Sequence, residues 1–297
     1  MTTKIVIVLT CFNRKIFTKN CIEKLGIKND SYEVLFVVTD DSSTDGTKEM
    51  LQELKEDYNI LVIDGTGSLF WNGGMYKGLS LVLNTMEKNS EKSSVSEKLD
   101  EINDSMVQFI KCADYVMLVN DDVDFETSAV SEMLHISDNE NVVVGTVKSK
   151  NGNVSYGGVH FLSKHFVKYL IMDISDNYKC DTFNANAVLI PAKIVKKVGN
   201  IDKTYSHSLG DFDYGLRISK SGYNILKTNF YVGSCEDNDS KGTWRDVSLP
   251  VMERLKKKES KKGLPFKDWW HFVYRHFGLI PAIYHSITPY VRILLRK

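Results

Sequence analysis

The sequence predicts an α/β fold: a mainly parallel central sheet flanked by helices over residues 1–250, then a helical, basic and aromatic segment over 251–297. Three observations predict it. Short apolar runs alternate with amphipathic stretches through the first half, the pattern of buried strands joined by crossover helices. Polar and acidic residues collect at the C-terminal end of each apolar run, the edge at which open α/β sheets bind ligands. The balance of 38 Lys+Arg against 38 Asp+Glu also hides an asymmetry. Arg254 to Lys297 holds eleven basic and two acidic residues, so this segment carries +9 and the remainder −9.

The elements follow in order. Lys4–Thr10 reads as the first buried strand, and its apolar centre, Ile5–Leu9, is too short for a signal sequence or a bilayer span. A helix near Ile16–Leu25 leads to a strand at Glu33–Thr39, a helix over Thr47–Glu56 capped by the Asp45 side chain, and a strand at Asn59–Asp64. Leu69–Gly78 reads as a loop whose adjacent Gly73 and Gly74 let a ligand approach the backbone, and a helix follows over Met75–Met86. Asn89–Asp104, rich in Ser, Lys and Glu, reads as a surface insertion or a loosely packed helix. Tyr115–Val119 is a fourth buried strand. Further strands are expected at Val142–Val147, Val154–Phe161 (with a turn or bulge at Gly157-Gly158) and Ala187–Ile190, and a helix at Gly210–Lys220. A composition of 42% hydrophobic and 26% charged residues is ordinary for a globular protein, so disorder is not the default reading. Five scattered cysteines without a C-x-x-C pair suggest neither a zinc site nor a disulfide framework, and fit a reducing cytoplasm. For the tail two readings stand side by side. Its lysines, Trp269-Trp270 and apolar stretch Leu279–Leu295 suit peripheral contact with the inner face of the cell membrane rather than nucleic acid, or form a helical pair packed on the core.

Three clusters have residue types that carry chemistry. Asn120-Asp121-Asp122 ends the fourth strand, and hard carboxylate oxygens there suit Mg²⁺ or Mn²⁺ bridging a diphosphate, although Asp and Asn also cap ordinary turns. In Asp40-Asp41-Ser42-Ser43-Thr44-Asp45-Gly46-Thr47, helix capping accounts for Asp45 and Thr47. It leaves Asp40 and Asp41 free to accept hydrogen bonds from a ribose or a base. Gly210-Asp211-Phe212-Asp213-Tyr214-Gly215-Leu216-Arg217 is either an acidic helix start with an Asp213–Arg217 pair, or a source of a general base. Trp71 stacks on a sugar or is merely buried in its loop, and Lys77 neutralises a phosphate or is a surface lysine.

Thr10-x-x-Asn13-Arg14, the Asp40–Thr47 segment and Asn120-Asp121-Asp122 fall at successive strand ends in the order seen in family 2 inverting glycosyltransferases, and the chain from Lys4 to Ser240 resembles that family, in particular bacterial rhamnosyltransferase-like surface-polysaccharide enzymes. The resemblance implies a GT-A fold and transfer of a hexosyl or deoxyhexosyl group from a nucleoside-diphosphate sugar to a glycan or lipid-linked glycan hydroxyl. It implies that Thr10, Asn13, Asp40 and Asp41 line the nucleoside pocket, with Arg14, Trp71, Gly74, Asn120 and Asp121 also on the donor side. Asp122 matches the metal-binding Asp of the D-x-D element, with Asn120 where the first Asp is usual. Asp211 matches the general base of E-D-x-D-x-x-x-R, Gly210 stands where Glu is frequent, and Asp213 is a rival base. Asn184 and Asn186 match acceptor-side positions. A metal-binding His usual after the last strand is missing from Val232–Asn238, so Asp237 or Asp239 would have to substitute, and Trp244-Arg245 belong to a loop closing over the diphosphate. Two alternatives are a sugar nucleotidyltransferase, disfavoured because Cys11-Phe12-Asn13-Arg14 lacks a Gly-rich phosphate loop, and a non-catalytic sugar- or nucleotide-binding scaffold of the same fold.

Overall fold

A computed structural model describes residues 2–87, 103–163, 167–236 and 241–295. The segment expected as an insertion at 89–104 lies almost wholly outside the described residues, as does Asp237. The first half is β1 (Thr3–Cys11), α1 (Lys15–Leu25), β2 (Tyr32–Asp40), α2 (Thr47–Leu54), β3 (Ile60–Asp64), α3 (Phe70–Glu87), α4 (Asp104–Lys111) and β4 (Tyr115–Val119). Then come β5 (Asp124–Phe125), α5 (Ala129–Ile136), β6 (Val142–Lys148), β7 (Val154–Tyr156), β8 (Gly158–Ser163), β9 (Lys168–Ile171), β10 (Lys179–Cys180), β11 (Thr182–Phe183) and β12 (Ala187–Pro191). The chain continues through α6 (Ala192–Val198), α7 (Gly210–Lys220), β13 (Ile225–Ser234), α8 (Val251–Glu259), α9 (Phe266–Phe277) and α10 (Leu279–Leu294).

The main sheet runs β10-β13-β6-β12-β4-β1-β2-β3, with β5 added to β13 and β7 to β6; β8, β9 and β11 form a small antiparallel sheet. Continuous apolar runs are what a strand needs when helices cover both of its faces. In β1 successive side chains alternate between two cores: Val6 and Val8 enter one, while Ile5, Ile7 and Leu9 enter the other. β4, β1, β2 and β3 are parallel, and the pairings Cys11↔Asp40 and Asp40↔Asp64 bring their C-terminal ends level. β12 runs antiparallel to β4, with Ala187 opposite Val119. Its N-terminal approach, Asn184–Asn186, therefore lies beside the C-terminal exit of β4, Asn120–Asp122. This reversed strand brings the two halves of the sequence to one edge.

α3 begins five residues before the helix expected from Met75, so Trp71, Gly73 and Gly74 sit in its first turns rather than in a loop. The cause is remote in sequence. Asp41 accepts from the Leu69 and Phe70 amides with Oδ2 (2.8 and 3.2 Å) and from Thr66 and Gly67 with Oδ1 (3.0 and 2.7 Å), which caps the helix from the neighbouring strand end. Val154–Phe161 divides into β7 and β8 at Gly157, whose φ of 155° breaks the strand. In the tail, Phe272 and Val273 of α9 and Ala282 of α10 join a third core with Val159, Phe161, Tyr205 and Phe212, so the tail packs on the rest of the chain.

Candidate active site

The loops at the C-terminal edge are held by side chains reaching between them. Asn13, with φ 53°, donates its amide to Ser43 Oγ (2.9 Å) and accepts from the Thr44 amide at Oδ1 (2.7 Å). Asp45 accepts from the Lys15 amide at 3.0 Å as well as from Thr47. Asp40 is buried and accepts from the Ser43 amide at 3.1 Å. Thr10 donates to the Thr39 carbonyl, and Thr39 donates to that of Gly74; a Cβ at Gly74 would stand 2.1 Å from Thr10 Oγ1. Thr10 and Gly74 thus set how closely α3 approaches the sheet. Lys77 is bound to the Asp64 carbonyl at 2.6 Å. Of the seven described non-glycine residues with left-handed φ, four lie in these surrounding loops: Asn13, Ser42, Phe70 and Leu209. Such strain persists only where the surroundings impose it, and it clusters at functional sites.

After β4, Asn120 accepts from Trp71 Nε1, which fixes the indole against the end of β4, and its amide donates to the Asn186 carbonyl at 3.1 Å. Asp121 is buried and accepts from Thr18 Oγ1 (2.9 Å) and Arg14 Nη1 (3.2 Å). Burial pushes its carboxyl up, the Arg14 charge draws it down and Asp122 raises it again, leaving it at about 6. Arg14 also donates to Asp122 Oδ2 at 2.6 Å, so one guanidinium spans both carboxylates. Asp122 Oδ1 is shut off from solvent and has no hydrogen-bond partner. A hard anionic oxygen left unpaired at a strand end fits a divalent cation. Among the described residues no group of three or more His, Cys, Asp or Glu side chains is placed to hold a metal. Cys235, at the end of β13, is pushed up to about 12 by burial and by the neighbouring Asp122.

The first turn of α7 faces the same edge. Asp211 Oδ2 accepts from the Ala185 amide at 3.3 Å, and the Asn184 side chain also bonds this carboxylate. Burial outweighs these bonds and raises its carboxyl to about 6. Two residues on, Asp213 is placed differently. It is fully buried and accepts from Arg217 Nε (2.8 Å), His276 Nε2 (2.8 Å) and Tyr205 OH (3.2 Å), with Arg275 3.2 Å away. Burial alone would raise this carboxyl, but His276, Arg217 and Arg275 together hold it below the ordinary value. Asp213 joins α7 to α9. Gly210 has a steric reason: a Cβ there would lie 1.8 Å from Asn72 Oδ1, and Asn72 is pinned by donating to the Asp202 and Tyr205 carbonyls at 2.9 and 2.8 Å.

Three basic groups at this edge went unnoticed as site residues in the sequence. His207 packs edge-on against Phe70 at 5.9 Å; burial, then Lys262 and Arg14, hold it down at about 4, and its Nδ1 is buried without a partner. Lys261 crosses back from the tail to the Ser68 carbonyl (3.0 Å) and lies 4.8 Å above the Phe70 ring. No local pattern marks these residues, because Lys261 and Lys262 read as part of a solvated basic run.

Search of curated protein sequences returns no match. A mannosyltransferase from Pyrobaculum calidifontis, solved with GDP-Man and Mn²⁺, superimposes with a TM-score of 0.53 at 12% identity, covering 100% of this chain and 74% of that one. Residues 1–349 of S. aureus TarS, solved with UDP-GlcNAc, give 0.53 at 13% identity over 98% of this chain and 81% of that one. At such identities the likeness is one of fold. Residues 6–84 match the family model Glycosyl transferase family 2, and the chain has the α/β architecture of the GT-A glycosyltransferases.

Proposed function

We propose that the protein is an inverting glycosyltransferase. It takes a hexosyl or deoxyhexosyl group from a nucleoside-diphosphate sugar and joins it to a hydroxyl of a glycan or lipid-linked glycan, in cell-surface polysaccharide synthesis. The observation that carries this reading is Asp211, a half-buried carboxylate of raised pKa beside Asn184, on the sheet edge that also presents Asp122. The match over residues 6–84 and neighbours solved with GDP-Man or UDP-GlcNAc support it.

In this reading the nucleoside lies in the loops after β1, β2 and β3. Asn13 and Asp40 contact it, while Asp41, its oxygens engaged by four amides, shapes the pocket from behind. Trp71, Asn120 and Asn186 wall the sugar, and Asn184 orients Asp211. Arg14, with Lys261 and Lys262 from the tail, places positive charge where the diphosphate departs, and His207, kept neutral by burial, turns an unpartnered Nδ1 to the same edge. Asp122, with Asp237, would hold Mg²⁺ or Mn²⁺, whose chemistry when bound is to neutralise the leaving diphosphate. Asp211 accepts the proton of the acceptor hydroxyl as its oxygen bonds to the anomeric carbon. The bond from that carbon to the diphosphate oxygen breaks on the opposite face, which inverts configuration. Asp213, saturated by cationic partners, serves as an anchor rather than as the base.

Screening GDP- and UDP-sugars with Mn²⁺ for thermal stabilisation identifies the donor. Asp211→Asn should keep that stabilisation and lose transfer by a factor on the order of 10²–10⁴, followed as release of the nucleoside diphosphate with glycan and lipid-extract acceptors. Unchanged turnover would remove Asp211 from the reaction, and donor binding without turnover in the parent protein would favour a scaffold.

A further inference from the structure

α10 has two unlike faces. One buries Ala282, Ser286 and Ile293. The other carries Ile280, Ile283, Tyr284, Ile287, Val291 and Leu294, each between 45 and 81% exposed. At the angular step of an α-helix these six fall within an arc of roughly 100°. No polar residue interrupts the stripe, and a contiguous exposed apolar face of this kind marks an interaction surface. No helix among the described residues is long and apolar enough to cross a membrane.

The surroundings of the stripe indicate what covers it. Leu279 to Lys297 contains Arg292, Arg296 and Lys297 and no carboxylate, within a tail that holds eleven basic residues against two acidic. Along α9, Phe266, Trp270 and Tyr274 stack at 5.9 and 6.3 Å, and Phe266 meets Tyr290 beside the stripe at 6.4 Å. Apolar residues, then amphipathic rings, then cations is the order in which a helix meets acyl chains, headgroup region and anionic headgroups. A second copy of the chain is a poorer occupant. A twofold contact sets the same patch against itself, bringing basic segments together with few carboxylates to offset them.

We infer that this face of α10 docks in the plane of an anionic lipid bilayer. The inference rests on the tail alone, so its failure leaves the transferase reading standing. If both hold, α9 fixes the reaction's orientation to the lipid, since it grips α7 through Asp213 two residues from Asp211. The test is co-sedimentation of the full chain with phosphatidylcholine vesicles, with and without phosphatidylglycerol, at low and high salt. The parent should bind the anionic vesicles. Ile280→Ser/Ile287→Ser/Leu294→Ser, all at exposed positions, should bind at least about tenfold more weakly with an unchanged melting temperature. Equal binding by the triple variant, no binding by the parent, or a parent dimer that the variant dissolves without any lipid binding would each overturn the inference. Thermal stabilisation by donor, read on the same samples, reports separately on the transferase reading.

Discussion

At the scale of single residues, Asp211 and Asp213 show how position decides chemistry for two identical side chains on one helical turn. Asp213 is fully buried against Arg217, Arg275 and His276; Asp211 is half-buried with only an amide side chain and backbone N–H groups to stabilise its charge. A carboxyl held at about 6, above the 3.8 of the ordinary group, binds its proton more tightly in the folded than in the unfolded chain. The stability this gives is complete below the unfolded value and is lost as pH rises through 6. Asp211→Asn, which resembles the protonated form, should therefore leave the melting temperature unchanged near pH 4 and raise stability by about 1–3 kcal/mol near pH 8, measured by denaturant titration at both pH values. A variant that is more stable yet inactive is the signature of a group kept for reaction at a cost to folding. Sequence ranked Asp211 ahead of Asp213 only through the register of the family segment, with no physical ground, because His276 and Arg275 approach Asp213 from more than 60 positions away.

At the scale of elements, β1 to β4 and α7 were legible because their signals are local: unbroken apolar runs for strands covered on both faces, and an acidic first turn for the helix. The start of α3 was not, because its cap comes from Asp41, just past the end of β2. Nor were β9, β10 and β11 foreseen, being two to four residues long. Asp41→Ala should release four amides at once. The expected loss is about 2–4 kcal/mol, accompanied by faster hydrogen exchange confined to residues 65–72 and by a changed Trp71 fluorescence. Exchange spread evenly over the chain would show instead that the cap has no local role.

At the scale of the whole molecule, the two readings of the tail prove compatible: one side of α9 and α10 is core, and the far side of α10 is exposed. Truncation before Lys256 should therefore unfold the protein rather than merely detach it from lipid. Removing the buried Phe272, Val273, Ala282 and Ile293, and leaving Asp213 without Arg275 and the His276 hydrogen bond, costs an amount comparable to the roughly 5–15 kcal/mol that holds a domain together. Loss of cooperative melting in the truncated chain is the expected reading. The opposing charges of body and tail were legible in composition, but the return of Lys261 over Phe70 was not, since only folding brings position 261 to position 70.

The contact between Asn72 and Gly210 ties together the inheritance of two distant stretches of gene. The carbonyl oxygen of one amide fills the volume that a side chain at position 210 would need. Position 210 can therefore grow only after position 72 has shrunk, and the two must drift as a pair. That mutual exclusion keeps position 210 a glycine for as long as Asn72 holds its two carbonyl partners, one residue before Asp211.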